Sequence, residues 1–340
     1  MTPLEKSILA TLVYYDVLER PLTGWEVFEY LIKCYKNPRA CFSTTSLRSK
    51  GMESQGTPLS LSTILETLEN SPELAKLISQ KNGFYFLQGQ AKIVKERIER
   101  QKIADQKWKK TRRMVKSLQL IPFIRSVVVS GSLAMNNPKK ESDIDLLIVT
   151  KAGRIWTCRG LTTLIIHLLG QRRHGCLTEN RFCLNHYLTD QSLKVPFPSL
   201  YNAQTYAHLV PLWQAEDGLY NQFQRTNQWL KDYLLFYSSG ESNLRKIKPN
   251  QFFNLLRKSR EFFLDRWLGN RIESILKKIQ TKRIKKDPLT YQSGGRVVFN
   301  DQQLEFHPDS PEKGILEKYN QKMMELGLIE LAKEKDSGLT

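Results

Sequence analysis

Apolar residues recur at helical spacing over residues 4–18, LEKSILATLVYYDVL, and the pattern stops at ERPLTG. Thr23 precedes a second periodic stretch, GWEVFEYLIKCY, with Glu26 three residues on, the arrangement of a capping box. A polar stretch from Lys36 to Pro58, rich in Ser, Thr and Gly, reads as a loop or insertion. SLSTILETLEN predicts a third helix, capped by Ser60 or Ser62. LAKLISQKNGFYFLQG then switches to two short apolar runs around an Asn-Gly pair, which predicts a hairpin. One long helix is expected from Ala91 to Leu120, touching a core through Ile93, Ile98, Ile103, Trp108 and Val115 and ended by Pro122. FIRSVVV and DIDLLIVT read as strands, with a short helix or turn, LAMNNPKKES, between them. A helix, TCRGLTTLIIHLLGQRR, and a third strand, RFCLNHYLT, follow. From about Ser192 the chain reads as mostly helical, with Trp213, Phe223, Trp229, Phe262, Phe263 and Trp267 expected in the core. GGRVVFN at Gly294 reads as a turn into a strand.

The 340 residues therefore divide into a helix-and-hairpin unit over 1–90, a basic connecting helix over 91–121, an α/β core over 122–191 and a helical region over 192–340. The core should be a small mixed sheet with flanking helices. Charge adds a partner class. Lys plus Arg is 52 against 34 for Asp plus Glu, a net charge of +18, which favours polyanions such as nucleic acid, nucleotides or an anionic surface. The connecting helix concentrates this excess, with eleven Lys or Arg between Lys92 and Lys116 against Glu96, Glu99 and Asp105. It is either a solvated face or a rail for a phosphate backbone, with Lys109, Lys110, Arg112 and Arg113 as the nucleic-acid contacts.

Five cysteines without a Cys-x-x-Cys pair argue against a disulfide framework and for a reducing cytoplasm. Asp16 and Glu19 interrupt the N-terminal apolar stretch, so no signal peptide is expected, and LTTLIIHLLG is too short to span a bilayer. No membrane partner is expected. Oligomeric state is open. His167 lies in an apolar helix and reads as a packed core residue, while His174, His186, His208 and His307 show no metal spacing. Arg154, Arg159, Arg172 and Arg173 follow the second strand closely enough to reach phosphates.

The chemistry concentrates in VVVSGSLAMNNPKKESDIDLLIVTKAG, residues 127–153. Asp143 and Asp145 flank Ile144, so both carboxylates leave an extended strand on one face. Two like charges heading into a core are costly unless something neutralises them. Gly131 lets a phosphate approach the backbone, Ser132 adds a hydroxyl, and the following helix start offers unpaired N–H groups. Two carboxylates facing that cradle suit Mg²⁺ ions bridging triphosphate oxygens.

Gly-Ser, about ten residues, then Asp-x-Asp and an apolar strand resembles the nucleotidyltransferase superfamily, which includes DNA polymerase beta and CCA-adding enzymes. The resemblance is close over residues 124–150. Over the whole chain it extends to a bacterial group with an N-terminal winged helix, whose order of three helices and a hairpin residues 1–90 resemble. It implies that Gly131 and Ser132 bind the nucleotide, that Asp143 and Asp145 hold Mg²⁺ (or Mn²⁺), and that an NTP is the substrate. A third carboxylate is expected on the third strand. Cys183, Asn185 and Tyr187 share one face there by alternation, and the acidic position is taken by Asn185, which cannot accept a proton. Glu179 or Asp190 are the available substitutes. Two functions follow. One is an Mg-dependent transferase moving a nucleoside monophosphate to a hydroxyl; the other is a non-catalytic nucleic-acid-binding or regulatory protein with a degenerate core.

Overall fold

Short-range signals set the N-terminal third. A computed structural model of the chain describes residues 1–34, 59–175, 177–237 and 245–338; the polar stretch from Lys36 to Pro58 lies outside the described residues. Thr2 and Glu5 close a capping box at the start of α1 (Pro3–Val17). After β1 (Leu22–Thr23), Thr23 and Glu26 do the same for α2 (Gly24–Glu29), which stops well short of Tyr35. Ser60 caps α3 (Leu61–Asn70), and α4 (Pro72–Ala75) leads into β2 (Ile78–Lys81) and β3 (Phe84–Leu87). Asn82 and Gly83 both take positive φ, 54° and 78°, as a two-residue primed turn requires. The three strands form an antiparallel sheet in the order β1-β3-β2.

The connecting helix is α5 (Lys92–Leu118). Beyond it come β4 (Ile124–Val129), the single turn α6 (Gly131–Ala134), β5 (Ile144–Thr150), α7 (Ile155–Leu168) and β6 (Phe182–Thr189). The remainder is α8 (Leu200–Ala207), β7 (Val210–Gln214), α9 (Leu219–Thr226), α10 (Gln251–Leu264), α11 (Trp267–Lys286), β8 (Arg296–Phe299), β9 (Gln303–His307) and α12 (Glu312–Glu325). A six-stranded sheet runs β7-β4-β5-β6-β9-β8, with β5 and β6 its parallel pair. One face packs under α5, α7 and α11 through residues such as Trp108, Trp156 and Ile284. The other packs under α8 and α9 through Tyr206 and Phe223. A third core joins α1, α2 and α3 to α12 and to Leu200 of α8.

Two expectations need correction. The region after Ser192 is not only helical, because β7, β8 and β9 supply half of the central sheet, which thus extends past residue 191. Val210-Pro211-Leu212-Trp213 follows a helix without a break in apolar character, so periodicity hides the change. Pro211 is tolerated because β7 is an edge strand. Secondly, Trp213 and Phe223 are buried, but Phe262, Phe263 and Trp267 are 60%, 67% and 64% exposed. Helical spacing shows that a stripe exists, not which side of the helix faces inward. Ile98 and His167 are exposed as well.

Candidate nucleotide-binding site

β4 leads into Ser130, whose N–H donates to the Asp145 carbonyl at 3.1 Å, so the turn and β5 are locked side by side. Gly131 has φ +65°, and a Cβ placed there would lie 2.4 Å from Asp145 Oδ2. Both the conformation and the close approach require glycine. Ser132 is half-buried on the same turn. Asp143 and Asp145 do face one cavity, of about 240 Å³, together with Ser130, Gly131 and Asn185. A second lobe of about 680 Å³ shares Gly131, Asp145, Tyr201, Thr205 and Pro311. Its far wall is the end of α1 (Val17, with Leu18 and Glu19 beyond it) and Arg100 of α5.

The repulsion between the two aspartates bears on Asp145. Burial, then the Asp143 carboxylate, pushes Asp145 up to about 7, against the pull of Arg173, Cys183 and Asn185. Arg173 donates to Asp143 Oδ2 at 2.7 Å, so a guanidinium supplies the counter-charge. Arg154 and Arg159 point elsewhere: they hydrogen-bond Asn270 and Gln280. Asp143, Asp145 and Cys183 offer ligand atoms within 4.8 Å of one another. Burial first, then Asp145 and Asp143, raises the Cys183 thiol, so it serves as a donor and not a thiolate ligand. The donor set left is two carboxylates, hard oxygens that fit Mg²⁺ or Mn²⁺.

Asn185 lies beside Asp145 and hydrogen-bonds its carboxylate. Its Nδ2 is 3.2 Å from His307 Nδ1. The expected strand face is only partly right. β5 and β6 pair Asp145 with Cys183 and Leu147 with His186, so β6 carries one extra residue. This bulge turns Asn185 and His186 both into the cavity and sends Tyr187 to the opposite face, into the core under α7. Glu179 and Asp190 line neither lobe. Glu179 is exposed, and Asp190 accepts from Ala152 N at the far end of the strand.

The pairing of β6 with β9 adds residues that sequence spacing did not show. His186 stands opposite Glu305, and His307 follows two residues on. Burial holds His186 down to about 3 and His307 to about 4, so both are neutral near pH 7. His186, Glu305 and His307 could hold a cation. Glu305, however, is fully buried and already accepts from Arg296 and Gln303, each at 2.8 Å, so a cation there competes with a guanidinium.

The inner face of α5 holds the motif loop in place. Arg100 donates to Asn137 Oδ1 at 3.2 Å, and Trp108 Nε1 donates to Asn136 Oδ1 at 2.8 Å. The Lys107 ammonium is buried against the carbonyls of Lys140 and Ser142, two residues before Ile144, and Lys110 caps the Asn180 carbonyl. Lys109, Arg112 and Arg113 face solvent. The four cations grouped by sequence thus separate, and Lys110 belongs to the scaffold.

Residues 108–182, from Trp108 to the first residue of β6, match the family model of the nucleotidyltransferase domain. That segment places the site in the nucleotidyltransferase superfamily. No curated protein and no solved structure matches the chain significantly.

Proposed function

We propose that the protein moves a nucleoside monophosphate from an NTP to a hydroxyl acceptor, with pyrophosphate leaving, in a reaction that needs Mg²⁺ or Mn²⁺. The observation that carries this reading is the contact of the Asp145 carboxylate with Gly131, which puts both aspartates at the mouth of the Gly-Ser turn. Asp143 and Asp145 would hold divalent cations, which supply charge neutralisation to the triphosphate and to the attacking oxygen. Gly131 and Ser132 present backbone N–H groups and a hydroxyl to phosphate oxygens. Arg173 would leave Asp143 for an anionic phosphate once the aspartates have another counter-charge. Asn185 orients Asp145 but takes no proton, and the neutral imidazole of His307 stands beside it with Nδ1 facing the Asn185 amide. The larger lobe is sized for an acceptor, with α1 and α5 as its wall.

The β1-β3-β2 sheet behind three helices supports a winged helix over residues 1–90. Its core is shared with α12, which suits a fixed wall of the cleft better than a mobile arm. Lys109, Arg112 and Arg113 remain placed to meet a phosphate backbone. A second reading, a nucleotide-sensing protein without turnover, is favoured by Asn185 standing beside Asp145. Incubating the full chain with each labelled NTP and Mg²⁺ or Mn²⁺ separates the two. Pyrophosphate release that disappears in Asp143→Ala supports transfer. Metal-dependent NTP binding without release supports sensing, and absence of both refutes the site.

A further inference from the structure

α10 turns a charged pair inward and a stripe of large apolar residues outward. Its inner side carries an ion pair: Arg257 is 3% exposed, lies over the Trp213 ring and pairs with Glu261, which in turn pairs with Arg125 of β4. Four of its apolar residues face outward, with Phe252 and Leu255 63% and 68% exposed and Phe262 and Phe263 continuing the stripe, while Phe253, Leu256 and Leu264 are half-buried. α11 prolongs the face with Trp267, Leu268, Ile275 and Ile279, all more than half exposed. The corner between the helices is tight, since a Cβ at Gly269 would lie 1.5 Å from the Leu264 carbonyl oxygen. Ion pairs on the inner side fix the orientation, so this apolar face is not a packing accident of one helix.

Charge identifies what covers it. Over residues 251–290, ten Lys or Arg are exposed against two acids, Asp265 and Asp287. Arg266 and Arg271 lie over the rings of Phe262 and Trp267, at 4.8 and 4.0 Å from the ring centroids. A second copy of the chain would bring this positive charge against itself. Nucleic acid would satisfy the cations but gain nothing from Leu255, Leu268, Ile275 and Ile279, which cannot stack on bases. Aliphatic and aromatic residues interleaved with cations match the boundary between acyl chains and anionic headgroups. No helix among the described residues is long and apolar enough to cross a membrane, so the contact lies along the surface.

We propose that the α10–α11 face docks the protein on an anionic lipid surface, with Phe262, Phe263, Trp267 and Ile275 entering the acyl boundary and Lys278, Lys282 and Lys285 meeting the headgroups. The test is flotation of the full chain with vesicles of phosphatidylcholine alone and of phosphatidylcholine with 30% phosphatidylglycerol, a ratio set at roughly the anionic content that gives a strong surface potential. Binding is expected to the anionic vesicles only. F262S/F263S/I275S and K278E/K282E/K285E should each lower the bound fraction about tenfold or more, through reduced burial and reduced attraction respectively. Because these side chains are exposed, both variants should keep the wild-type melting curve. Should they not, quenching of Trp267 fluorescence by brominated acyl chains in the wild-type protein, compared with Trp267→Phe, decides the same point. The proposal is overturned if anionic vesicles do not bind, if the apolar variant binds as wild type, or if light scattering shows a dimer that F262S/F263S/I275S breaks. A single-stranded RNA that is bound through the same residues while vesicles are not would also overturn it.

Discussion

At the scale of single residues, Asp145 governs the electrostatics of the site. Its folded pKa, about 7, is raised above the ordinary 3.8, so the folded chain holds that proton more tightly than the unfolded chain does. The resulting stability is fully present below about pH 4 and is lost as pH rises through 7. Asp145→Asn should lack this loss and melt at or above the wild-type temperature at pH 8 without metal. Parallel melting curves from pH 4 to 8 would show that Asp145 is not strained. Since a cation competes with the same proton, Mg²⁺ affinity of the wild type should rise between pH 6 and 8, as titration calorimetry can measure. Asn185 offers the complementary test. Asn185→Asp adds a third carboxylate beside Asp145, so melting temperature should fall in the apo protein and recover more steeply with Mg²⁺ or Mn²⁺. Identical metal dependence would remove Asn185 from the site.

At the scale of elements, α5 has two jobs on two faces. Glu substitutions at Lys109, Arg112 and Arg113 should leave melting unchanged and weaken nucleic-acid binding for all sequences alike. The slope of log affinity against log salt should flatten by about 0.9 for each phosphate that is no longer neutralised; an unchanged slope means that face is only solvated. Lys107→Met should act in the opposite sense. It removes the ammonium from the half-buried carbonyls of Lys140 and Ser142 ahead of Asp143 and should cost about 1 kcal/mol by denaturant unfolding, with nucleotide affinity falling too. The extent of α5 was legible because caps, breakers and periodicity are local. Its division of labour was not, since eleven cations in a row of sequence do not reveal which of them meet carbonyls from residues 136–142 and 180. The same limit explains α10. Phe252, Leu255 and Phe262 announce a stripe, and only the partners of Arg257 and Glu261 show that it points outward.

At the scale of the whole molecule, β4, β5 and β6 and the Gly-Ser and Asp-x-Asp pair they carry were legible, because they form one continuous segment. The bulge at Asn185 and the approach of Glu305 and His307 were not, because both depend on register between strands far apart in the chain. Those neighbours also shape acid behaviour. His186 and His307 are held down to about 3 and 4, and His208 well below its usual range, in each case mainly by burial. Their contribution is present above about pH 6.5 and is lost as pH falls toward the folded values, since the unfolded chain takes up those protons first. Melting temperature should therefore fall between pH 6.5 and 4, a trend that Asp145 opposes, and Asp145→Asn should steepen it. A flat acid limb in calorimetry would contradict the burial of these imidazoles. The same sheet order also has a consequence for synthesis. Asp143 and Asp145 leave the ribosome well before the strand that carries Glu305 and His307 and walls the cavity. A nascent polypeptide that has not yet released β9 thus displays the acidic pair without a closed pocket.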